Sequence, residues 1–147
     1  MRKFKFSLES VLTVREKALK DARIQLASVM NIYNKQKDVL KEMIFELNSI
    51  EQESERYLQT NEFNPNLIQS YCSFSLKLTQ DIKTQEKIIK ETERDVERCR
   101  EIAQKAYINV KSLENLKEKQ KEEYNKELQL EEFKQIDDIV NSRRKLA

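Results

Sequence analysis

The chain has 147 residues with no Gly, one Pro (Pro65), no Trp and no His, and 37% of its residues are charged. Turns with positive φ default to Gly, and β-rich folds need many turns, so this chain has few places to reverse direction. Its net charge is only +2, from 28 basic and 26 acidic residues of mixed sign; that pattern describes a solvated helical surface and argues against a field that steers nucleic acid.

Basic residues open and close the chain, Arg2, Lys3 and Lys5 at the start and Arg143, Arg144 and Lys145 at the end. They read as solubilising termini that would also suit an acidic partner or a membrane surface. Glu9, Arg15 and Glu16 interrupt any apolar leader, so no secretory signal is expected. No stretch approaches the roughly 20 apolar residues of a membrane span. The expected location is the cytoplasm.

From Leu8 to Tyr57 apolar residues recur at alternating spacings of four and three. The a positions are Leu12, Leu19, Leu26, Tyr33, Leu40, Leu47 and Ser54, and the d positions are Leu8, Arg15, Ala22, Val29, Gln36, Met43, Ile50 and Tyr57. Twelve of these fifteen are apolar, too sustained for a chance amphipathic helix. The pattern predicts a first helix over about 7–59, with Ser7 as its N-cap and Glu9 in the first turn.

The repeat breaks over about 60–65, where Asn64–Pro65 signals a helix start, Asn as N-cap and Pro at the first helical position. A second helix is predicted over about 65–144. Its a positions are Ile68, Ser75, Ile82, Ile89, Val96, Ala103 and Val110, and its d positions Tyr71, Leu78, Gln85, Thr92, Cys99, Ala106 and Leu113. The repeat fades after Leu116.

The fold class that follows is all-α, a two-helix antiparallel coiled-coil hairpin forming a single domain over residues 1–147, with a longer, overhanging C-terminal helix. A turn centred near residue 62 makes facing residue numbers sum to about 125, so Leu12 faces Leu113, Leu19 faces Ala106 and Leu47 faces Leu78. Helix 1 would then end opposite residue 117, leaving about 25 residues of helix 2 uncovered, roughly 120 Å of helix against 75 Å. Arg15, Gln36, Gln85 and Thr92 are expected to weaken the seam.

Composition excludes most chemistry. Phosphate loops need Gly for close backbone approach, and none is present. Histidine catalysis is excluded outright. A two-helix rod offers no water-excluding pocket to shift the pKa of its many carboxylates. Cys72 and Cys99, 27 residues apart on one helix, would lie roughly 40 Å apart and cannot bridge within the chain; Cys99 at a d position reads as core filler. No catalytic residue, metal site or cofactor is expected.

Protein contact has better candidates. Ile44, Phe45, Phe63, Leu67, Phe74 and Leu76 cluster near the hairpin tip outside the a/d seam. Ile44, Leu67 and Phe74, at e and g, can simply broaden the seam, whereas Phe45 at f and Leu76 at b cannot. Tyr124, Leu128, Phe133, Ile136 and Val140 fall on the overhang, with no helix 1 expected to cover them.

The opening FKFSLESVLTVREKALKDA resembles the N-terminal signature of the flagellar FliJ family: an aromatic pair, Leu-Glu, Val-Leu, then Arg-Glu. The segment from Leu113 to Arg143, with Leu116, Tyr124 and the step Ile136–Asp137–Asp138, is similar to that family's closing segment, where Glu is commoner at the position of Asp138. The resemblance implies a non-enzymatic component of the flagellar type III export apparatus, built like the central stalk of a rotary ATP synthase. Its implied partners are the export ATPase FliI hexamer, the export gate protein FlhA and export chaperones that it escorts. It implies a place in the cytoplasm, peripheral to the membrane at the flagellar base and held there through partners. Carried over, Phe4, Phe6, Leu8, Val11, Tyr124, Phe133, Ile136 and Asp137 would meet the ATPase ring. Met43, Phe45, Ile50, Phe74, Leu76 and Leu78 would face the gate. The injectisome counterpart and a self-associating structural coiled coil stand as alternatives.

Overall fold

The computed structural model describes residues 3–60 and 64–146. It is all-α, with no strand among the described residues: α1 runs Glu9–Leu58 and α2 runs Pro65–Leu146. The two pack antiparallel as a coiled-coil hairpin, α2 being the longer at 82 residues against 50. Phe63 and the centre of the expected turn lie outside the described residues.

Each helix boundary has a local cause. Asn64 Oδ1 accepts the Asn66 N–H at 3.1 Å while the Asn64 carbonyl accepts from Ile68 at 3.3 Å, which makes Asn64 the N-cap and Pro65 the first helical residue. At the other end of the break, the Thr60 hydroxyl and N–H both donate to the Tyr57 carbonyl, closing the last turn of α1. The Tyr57 hydroxyl in turn accepts from the Asn64 N–H at 2.8 Å. No described residue has positive φ.

The start of α1 differs from expectation. Its first α-type bond runs from Leu12 N–H to the Leu8 carbonyl at 2.9 Å, preceded by a turn from Glu9 N–H to Phe6 carbonyl. The cap position therefore falls at Leu8 and not at Ser7. The turn lets Phe6 fold inward, where it is 7% exposed.

By internal contacts the chain divides into an end unit, α1 up to Asp21 with α2 from Ala103, and a tip unit, Ala22–Ile102. In the end unit, Leu12, Leu19 and Val110 form a buried cluster against which Ala106 and Leu113 pack. Leu12 with Leu113 and Leu19 with Ala106 is the register read from the repeats. An ion pair from Lys117 Nζ to Glu9 Oε2 at 2.8 Å repeats it.

Coverage of α2 continues further than the repeat in helix 1 implies. Lys117, Gln120, Tyr124 and Leu128 are each half-buried, and the Phe4 ring lies 5.7 Å from that of Tyr124. The expectation that Tyr124 and Leu128 stand uncovered is therefore corrected. The residues before α1 are not helical, and non-helical chain advances up to ~3.3 Å per residue against ~1.5 Å in a helix. A few residues thus reach along two turns or more of α2. Only from Gln129 to Leu146 is every residue exposed.

In the tip unit Leu78 and Val96 are buried and most other seam residues half-buried, as two helices flank each side chain with solvent on two sides. Three of the four polar residues expected to weaken the seam meet around Gln36. Gln85 Nε2 donates to the Gln36 carbonyl at 3.0 Å, and Thr92 Oγ1 lies 2.5 Å from Gln36 Oε1 and 2.9 Å from the Ile88 carbonyl. With one proton, Thr92 donates to one acceptor at a time; turning the Gln36 amide lets it accept from Nε2 while donating to Ile88. Arg15, the fourth, does not enter the core of its unit but is exposed.

Candidate functional site: docking surfaces

Each unit presents apolar side chains that its own packing leaves outside. In the end unit these are of two kinds. Leu8 and Val11 sit at the rim of the seam on the first turns of α1, partly exposed. Further along α2, Phe133 is 66% exposed, and Ile136, Ile139 and Val140 are exposed with it. Phe133, Ile136 and Val140 follow one another at spacings of three and four, so they form a stripe along one helix face, with Asp137 exposed beside it. A shallow groove bounded by Gln129, Glu132, Phe133 and Ile136 marks this face.

Two other residues assigned to this end from the sequence lie inside. Phe6 belongs to the buried core. Tyr124 is half-buried under Phe4, and its hydroxyl is buried with no hydrogen-bond partner among the described residues. Both build the end unit, and the exposed contacts of the set are Leu8, Val11, Phe133, Ile136 and Asp137.

The residues assigned to the tip divide likewise. Leu78 is buried and Met43 and Ile50 are half-buried in the seam. Phe45, 74% exposed, and Leu76, 63% exposed, stand clear of it, with Ile44 and Phe74 partly so. Phe74 and Leu76 do not share a face, since two residues along a helix turn a side chain by roughly 200°. Leu76 instead lines a groove of about 390 Å³ with Leu58, Ile68, Tyr71 and Cys72. The sequence reading missed this groove: Tyr71 and Ile68 were assigned wholly to the seam, and Leu58 to neither helix face. Ile139 was also missed on the overhang, although it lies three residues from Ile136.

Chemically these surfaces offer contact and little else. Among the described residues no three His, Cys, Asp or Glu side chains come together as a metal-holding group. Both cysteines are free thiols, Cys72 exposed and Cys99 half-buried. Among the described residues no helix is long and apolar enough to cross a membrane.

Comparison with known proteins places the chain. No curated protein and no solved structure is significantly similar to it. A protein family described as "Flagellar FliJ protein" matches residues 4–145, which takes in both exposed surfaces, all of α1 and α2 up to its penultimate residue. The chain belongs to the FliJ family of flagellar proteins.

Proposed function

We propose that this component of flagellar type III export works as a stalk and adaptor, with no catalysis of its own. In this reading the uncovered end of α2 enters the ring of the export ATPase FliI. The tip contacts the export gate protein FlhA, and the chain escorts export chaperones. It would sit in the cytoplasm, held at the membrane face of the flagellar base through these partners.

The observation that carries the reading is the stretch from Gln129 to Leu146. It is helical and exposed throughout, yet it bears the apolar stripe Phe133, Ile136 and Val140. A helix that projects apolar side chains beyond its own partner is suited to a second surface. At the tip, Phe45 and Phe74 offer large exposed rings of the kind that anchor protein interfaces. Leu8 and Val11 add apolar rim to the ATPase-facing end, with Phe4, Phe6 and Tyr124 holding that end together.

The test is the hydrolysis rate of the cognate export ATPase with and without the chain, alongside the chain's mass in solution. A monomer that stimulates hydrolysis or ring assembly is the expected result. A stable oligomer without effect on the ATPase would favour a self-associating structural coiled coil instead.

A further inference from the structure

The groove beside Leu76 has a definite chemistry. Its wall is Leu58 on α1 and Ile68, Tyr71, Cys72 and Leu76 on α2. Two of the hydroxyls that line it are occupied within their own helices: Ser54 donates to the Glu51 carbonyl at 2.8 Å and Thr79 to the Ser75 carbonyl at 2.8 Å. The Tyr71 and Ser75 hydroxyls remain to meet a polar group beside the aliphatic wall. Its volume of about 390 Å³ is at the low end of the ~300–1,000 Å³ usual for ligand sites, room for one or two large side chains.

The charges that flank it on α1 are acidic, Arg56 being turned to the far side of that helix from Ser54 and Leu58. Glu51 lies one turn before Ser54 and Glu55 one turn before Leu58, so both flank the groove on the α1 side. Both are exposed, and neither has an ion-pair partner among the described residues. On α2 the only charge between Pro65 and Gln80 is Lys77, turned about 100° from Leu76 around the helix.

We infer that this groove docks a basic segment of another protein, a helix or strand with one or two large aliphatic side chains to enter the groove and Lys or Arg groups to meet Glu51 and Glu55. Aliphatic burial supplies most of the affinity; the two carboxylates, solvated at the rim, supply selection against acidic segments and faster encounter. The inference shares Leu76 with the tip-docking reading above and extends it to the opposite face from Phe74. The gate protein is absent from the test below, so the two can fail separately.

The probe is a synthetic helical peptide with two leucines four residues apart flanked by arginines, and the reporter is Cys72 in the otherwise intact chain carrying Cys99→Ala. At roughly ten times its dissociation constant the peptide should slow the reaction of Cys72 with a neutral maleimide about tenfold. Replacing the arginines with glutamates should abolish that protection, as should Leu76→Ser. Glu51→Gln with Glu55→Gln should weaken it and remove its salt dependence, helicity being unchanged in each variant. Equal protection by the acidic peptide, or none by the basic one, would overturn the inference. So would protection that grows with the chain's own concentration without peptide, which would make the occupant a second copy.

Discussion

Phe6 and Tyr124 show how one side chain decides where a surface ends. Phe6 precedes α1, outside any helical period, yet the Phe6–Glu9 turn carries its ring into the core. Phe6→Ala is expected to cost about 3 kcal/mol in chemical denaturation of the whole chain. A change within error would mean that the strap before α1 contributes nothing. Tyr124 presents the opposite case, a ring well placed against Phe4 and a hydroxyl buried without a partner. Tyr124→Phe removes that hydroxyl and keeps the ring, so it should raise stability by about 1 kcal/mol on the same measurement. The aromatic pair at the chain start was legible as a motif. Its burial was not, because non-helical residues carry no period from which to read a direction.

At the scale of the helices, the a positions Leu12, Leu19 and Val110 announced the core that the end unit contains. The polar seam positions were equally visible, but their pairing across the helices was not. Gln36, Gln85 and Thr92, the last 8% exposed, satisfy one another across the two helices. A partly buried polar cluster of this kind is less stabilising than apolar packing but is best satisfied in one register. Replacing all three together (Gln36→Leu, Gln85→Leu, Thr92→Val) should raise the melting temperature. Gln36→Leu alone should raise it less, because Thr92 loses its cross-helix acceptor and Gln85, still bonded to the residue-36 backbone carbonyl, keeps a polar amide in the seam. Thermal denaturation of the two variants beside the parent separates these outcomes; a rise in the single variant equal to that of the triple would show that Gln85 and Thr92 cost the seam nothing.

For the molecule as a whole, the question is which parts of the chain stabilise the fold and which are left for partners. Residues 129–146 are exposed, and the proposed function puts them in the second category. Ending the chain after Leu128 should change unfolding free energy by less than about 0.5 kcal/mol while abolishing capture of the export ATPase. Phe133→Ala with Ile136→Ala should likewise leave far-UV helicity nearly intact and weaken that capture. Full binding by either variant would remove the overhang from the interface.

Composition without Gly or His, two heptad repeats and a single Asn–Pro break were enough to determine, from the sequence alone, two long antiparallel helices, their facing residues and a longer second helix. The FliJ resemblance was legible in short motifs at both ends, and the family match spans the residues between them. Only the tertiary structure decided how far α2 is covered, which tip residues are seam and which are surface, and that Leu76 turns into a groove while Phe74 faces elsewhere. The reason is physical: periodicity fixes the direction in which a side chain leaves its own helix. What it meets there depends on the other helix and on non-helical chain, whose reach and path have no period to reveal them.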